Sequence, residues 1–146
     1  MFNCILTILS AISAIASSIS AILMYVQTIK INKFYVNQTY HSKIFDDFLI
    51  DKIPVARQDI KFDDEGKLIN AQKFVDELSN LRNNSLFYKY NSKEFYNLIK
   101  KQTQEIEDYV MNLGNKITEK EEQSKIFISI NEKTEKLYEV ISNQVF

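Results

Sequence analysis

The hydrophobic positions of this chain follow two different rules on either side of Lys30. From Met1 to Ile29 no Asp, Glu, Lys or Arg interrupts the sequence, and every charged side chain lies beyond that point. The uncharged run is long enough to span: Cys4 to Val26 rises roughly 34 Å as a helix, against a hydrocarbon core of about 30 Å. It predicts one transmembrane helix over residues 1–29. A cleaved secretory signal is the main alternative, with Ala14-Ile15-Ala16 before Ser17 as its small-residue site, and a buried soluble helix is the other. The leading Met-Phe-Asn has no basic residue, and the apolar stretch runs well past the candidate cut to Val26; both features favour the anchor.

Turned at about 100° per residue, Ile8, Ile12, Ile15, Ile19, Ile22 and Val26 fall on one face of this helix. Asn3, Thr7, Ser10, Ser13, Ser17, Ser20, Gln27 and Thr28 gather roughly opposite, with Ala14 and Ala21 between them. A lone helix in lipid has no reason to segregate its polar groups, so the stripe predicts a homo-oligomer. Two readings follow for Thr7, Ser10, Ser13, Ser17 and Ser20: close packing between helices, or the lining of a pore.

Beyond Lys30 the helical pattern continues through Phe34, Asn37 or Val36, Tyr40, Phe45, Phe48 and Leu49 until Pro54, and the residue before a proline resists helical conformation. A juxtamembrane helix over 30–53 is therefore expected to stop near Asp51 to Ile53. Residues 54–146 are expected to form a small helical domain. Ile60 and Phe62 alternate with polar residues before Asp63-Asp64-Glu65-Gly66 and Lys67-Leu68-Ile69, the pattern of a small β-hairpin or an irregular loop with Gly66 at positive φ. Asn70 is the expected N-cap of a helix carrying Phe74, Val75, Leu78 and Leu81 to about Arg82–Asn84. Asn91-Ser92-Lys93-Glu94 has the order of a capping box before Phe95, Leu98, Ile99, Ile106, Tyr109, Val110 and Leu113, with Gly114 as the stop. A last helix over about 118–143 carries Phe127, Ile130, Leu137, Ile141 and Val145. The fold class is mainly α.

Charge then sets the orientation. Lys30, Lys33 and Lys43 follow the apolar run and no cationic side chain precedes it, so the positive-inside rule places the N-terminus outside and the C-terminal domain in the cytoplasm. Tyr25, Phe34 and Tyr35 fit an interfacial aromatic belt. Composition argues against catalysis. Cys4 and His41 are the only residues of their kinds, too few for a Cys/His zinc site, and the two glycines are isolated, so no phosphate loop exists. His41 has no evident partner to make it a base. Asp46, Asp47 and Asp51 read as a solvated face before they read as a metal site. No enzyme activity and no cofactor are expected. One segment departs from the even charge balance: Arg82, Lys89, Lys93, Lys100 and Lys101 are interleaved with Phe87, Tyr88, Tyr90, Phe95 and Tyr96. Basic groups among aromatics suit a single-stranded oligonucleotide, through phosphate contacts by the cations and stacking on Tyr88, Tyr90 and Tyr96. The bland alternative is an ordinary buried connection with solvated lysines.

The order of these features, ILTILSAISAIASSISAILMYVQ, a basic exit, FDDFLIDKIP, LSNLRNNSLFYKY and EFYNLIKKQTQEIEDYV, resembles small bacterial membrane proteins of anti-phage defence loci. It is most similar to the single-pass effectors of Hailong-type systems, and the likeness covers most of the chain in outline. That resemblance implies a tetrameric channel in the bacterial inner membrane. It further implies restraint by oligonucleotides from a partner nucleotidyltransferase, and abortive infection once membrane integrity is lost. It transfers no site residue. A membrane-tethered adaptor that recruits a cytosolic regulatory protein is the alternative from another class.

Overall fold

The computed structural model describes residues 2–113 and 116–144. The chain divides into two compact units, Met1–Thr39 and Tyr40–Val145. The first unit consists of helix α1, which runs from Phe2 to Ile44 and so enters the second unit with its last turn. None of residues 6–36 is covered by the rest of the chain.

The second unit is helical apart from one hairpin. A π-helical stretch (Phe45–Lys52) is followed by α2 (Ile53–Gln58), strands β1 (Lys61–Phe62) and β2 (Leu68–Ile69), and then α3 (Ala71–Asn84), α4 (Leu86–Asn91), α5 (Lys93–Met111) and α6 (Lys120–Ser142). Helix α5 is central, with α3, α4 and α6 packed around it. Its buried positions Phe95, Ile99, Thr103, Ile106 and Val110 step by four, four, three and four, which keeps them on one side of the helix. They meet Phe74, Leu78 and Leu81 of α3 and Ile130, Leu137 and Ile141 of α6 in a shared core.

The expected hairpin forms, antiparallel, with Lys61 opposite Ile69 and Phe62 opposite Leu68. Asp63 closes it by accepting the N–H groups of Glu65 and Lys67 on Oδ1 at 3.0 and 2.8 Å. Gly66 has φ +76°, and a Cβ there would run into the backbone oxygen of Ile117, whose own N–H donates to the Gly66 carbonyl at 2.8 Å.

Several boundaries differ from expectation. Pro54 does not end the helix, because the π-helical stretch before it and the start of α2 place its missing N–H at the second residue of a new helical segment. Asn70 precedes α3 as expected but makes no side-chain cap. It sits in the left-handed region at φ 63°, and its Nδ2 donates instead to the Asp59 carbonyl at 3.0 Å. Ser92 likewise precedes α5 without a side-chain capping bond, so the capping box is not formed. In α5, Leu98 points outward and Thr103 takes the core position. In α6 the core stripe runs through Ile126 and Thr134 rather than Phe127, whose ring instead meets Phe62 edge-on at 5.5 Å. Gly114 and Val145 lie outside the described residues.

Candidate functional site

Helix α1 is one helix long and apolar enough to cross a membrane, and its most apolar window is wholly bare. A core helix of a soluble domain would be covered there; this one exposes Ile8, Ile12, Ile15, Ile19 and Ile22 by half or more. By helical spacing most of its hydroxyls lie on a side away from the isoleucines, Ser18 excepted because it sits one turn from both Ile15 and Ile22, and several close on their own backbone. Ser17 donates to the Ser13 carbonyl at 2.9 Å, Ser20 to Ala16 at 2.9 Å and Thr28 to Met24 at 2.8 Å. Each such bond satisfies a hydroxyl without a partner helix, and leaves its oxygen able to accept another bond.

The basic-aromatic segment divides into two groups. Arg82 is turned inward: its Nη1 donates to Glu107 Oε2 at 2.8 Å, its Nη2 to Ser79 Oγ at 3.3 Å, and both members of the ion pair are mostly covered. It ties α3 to α5. Tyr88 is fully buried, edge-on to Phe87 at 5.2 Å and to Phe95 at 4.9 Å, and burial pushes its phenol well above the ordinary tyrosine range. Neither is presented to a ligand. Lys89, Tyr90, Lys93, Lys100 and Lys101 are exposed, and Tyr96 is half-buried. The Lys89 ammonium lies over the Tyr90 ring at 5.8 Å. Lys93 and Lys100, seven residues apart, share a side of α5 at about 10 Å, whereas Lys101 is turned about 100° away and pairs with Glu105 at 3.8 Å.

His41 and its surroundings take a structural part. Its Nε2 lies 2.7 Å from the Ile141 carbonyl, and because a carbonyl only accepts, the ring donates from that nitrogen. Tyr40 stacks on Phe87 with ring centroids 4.0 Å apart. Composition does not single out Tyr138, whose hydroxyl donates to the Leu49 carbonyl at 2.9 Å. The available signal was Pro54, which removes a donor from a helical run and so calls for another. Burial raises the Tyr138 phenol and the nearby Arg57 partly offsets this.

Among the described residues no three or more His, Cys, Asp and Glu side chains gather where they could hold a metal ion. A cavity of about 460 Å³ lies between Lys67, Leu68, Asn70, Ala71, Gln72, Val110, Met111 and Leu113, with Lys67 as its one ionisable lining residue. No protein-family model, curated protein or solved structure matches this chain.

Proposed function

We propose that this protein is an oligomeric membrane effector, a channel or pore of anti-phage defence whose spanning helices surround a gate regulated by the helical C-terminal domain. In this reading four copies assemble in the bacterial inner membrane, with the N-terminus outside and the domain in the cytoplasm. The observation that carries it is the serine and threonine stripe on an otherwise apolar, uncovered helix, since segregated hydroxyls serve a neighbouring helix or a wet lumen. Regulation by an anionic polymer such as a single-stranded oligonucleotide would use Lys89, Tyr90, Lys93, Tyr96 and Lys100, with Arg82 and Tyr88 serving the core beneath.

The i to i−4 bonds of Ser17, Ser20 and Thr28 favour a second reading, because they let the helix rest in lipid alone. The protein would then be a membrane-tethered adaptor that recruits a cytosolic partner. Replacing residues 1–29 by an unrelated spanning helix separates the two. A channel loses its discrete conductance in planar bilayers and its cellular effect, while an adaptor keeps its effect and never conducts.

A further inference from the structure

The path from α1 into the domain contains a backbone problem with a side-chain solution. An α-helix returns each N–H to the carbonyl four residues back, and a π-helix five back. In the π-helical stretch Phe45–Lys52 the last such bond runs from the Ile53 N–H to the Phe48 carbonyl. The next in that register would run from residue 54 to Leu49, but residue 54 is proline and has no N–H. Leu49 is buried, and the hydroxyl of the half-buried Tyr138 of α6 donates to its carbonyl at 2.9 Å. In the α register the Ile53 N–H would serve Leu49 instead, and the Ile50 carbonyl would face the proline ring without a donor. The backbone of this segment by itself satisfies neither arrangement. Helix α6 supplies what the π register needs, and one turn further on its Ile141 carbonyl accepts from His41, just before the π stretch.

We propose that Tyr138 is a register lock: its hydroxyl stands in for the N–H that Pro54 lacks, and holds Phe45–Lys52 in the π form while α6 is docked. The α register would turn the residues before Phe45 by roughly 100° against α2; because the Pro54 ring would meet the Ile50 carbonyl there, that register opens where residue 54 regains an N–H, and further where the Tyr138 bond is also lost. The lock belongs to the C-terminal unit and holds whether or not an assembly conducts.

A double-mutant cycle on the full chain in nanodiscs tests the chemistry, read by amide hydrogen exchange over residues 45–53 and the end of α6. Tyr138→Phe is expected to speed exchange about tenfold, the effect of losing one buried hydrogen bond. In a Pro54→Ala background the same change is expected to speed it by less than about twofold, because residue 53 or 54 can then serve Leu49 itself. Equal effects in both backgrounds, or none in either, would overturn the lock and leave Tyr138 as packing. The register step is read separately, with spin labels at Ser42→Cys and Asn84→Cys, both exposed, and Cys4→Ser to remove the native thiol. A second distance is expected to appear in Pro54→Ala and to dominate in Pro54→Ala/Tyr138→Phe. A single unchanged distance in both overturns the register step.

Discussion

Two helical stripes of this protein have nearly the same spacing and opposite surroundings. Ile8, Ile12, Ile15, Ile19 and Ile22 of α1 step by four, three, four and three, and Ile15 and Ile19 are 61% and 54% exposed. Phe95, Ile99, Thr103, Ile106 and Val110 of α5 step by four, four, three and four, and Ile99 and Ile106 are 0% exposed. Periodicity defines a face but does not say what covers it. The residues opposite decide that: in α5 they are Lys, Glu and Gln, which stay in water and force the apolar side inward, whereas in α1 they are Ser, Thr, Ala, Leu and Met, none of them charged and several of the hydroxyls closed on their own backbone, so nothing forces a face inward.

The comparison breaks most sharply at single isoleucines. Ile99→Ala would open a void in a closed core and is expected to cost about 2–5 kcal/mol of domain stability. Ile15→Ala removes the same atoms from a bare helix and is expected to fall within about 0.5 kcal/mol. Thermal unfolding of the reconstituted chain, followed by circular dichroism, checks both. An Ile15→Ala loss matching that of Ile99→Ala would mean that α1 is a core helix after all.

A smaller effect is expected where the domain depends on backbone geometry, a dependence that α1 lacks. Gly66→Ala forces a side chain into φ +76° and drives its Cβ against Ile117, displacing the segment that leads into α6. The left-handed conformation alone costs about 1–2 kcal/mol, and relief of the contact adds to it. The same melt should show a loss below that of Ile99→Ala, with the helicity of α1 retained.

What the sequence revealed follows the same division between face and covering. The hairpin was legible because Gly66 and the Asp63 turn act locally, and α3 and α5 because most of their stripe positions repeat at helical spacing, Leu98 and Thr103 excepted. Pro54 misled, since the rule that ends a helix before proline assumes α register, and the compensating donor, Tyr138, is remote in sequence. Phe127 is larger than Ile126 but sits beside the core line of α6, so size pointed to the wrong neighbour. Arg82 and Tyr88 looked like ligand groups because charge and aromaticity are visible in a sequence, whereas the Glu107 that pairs with Arg82 and the rings that enclose Tyr88 come together only on folding.

The mildest test uses pH, and it separates the enclosed unit from the bare helix through one buried and one half-buried phenol. Burial favours the neutral form of Tyr88 and of Tyr138, so both have folded-state values above the ordinary 10. Between the unfolded and folded values the native state binds more protons than the unfolded one, and stability therefore falls as pH rises. The contribution is intact below pH 10 and is lost progressively above it, as the pH climbs toward the folded values. Melting temperature measured from pH 8 upward should accordingly stay level and then decline above about 10, with the loss confined to the C-terminal unit. Tyr88→Phe removes one of the two titrations, and a less steep alkaline decline in that variant is the expected result. An identical decline would place the alkaline sensitivity in other groups and show that the Tyr88 phenol reaches water in the native domain.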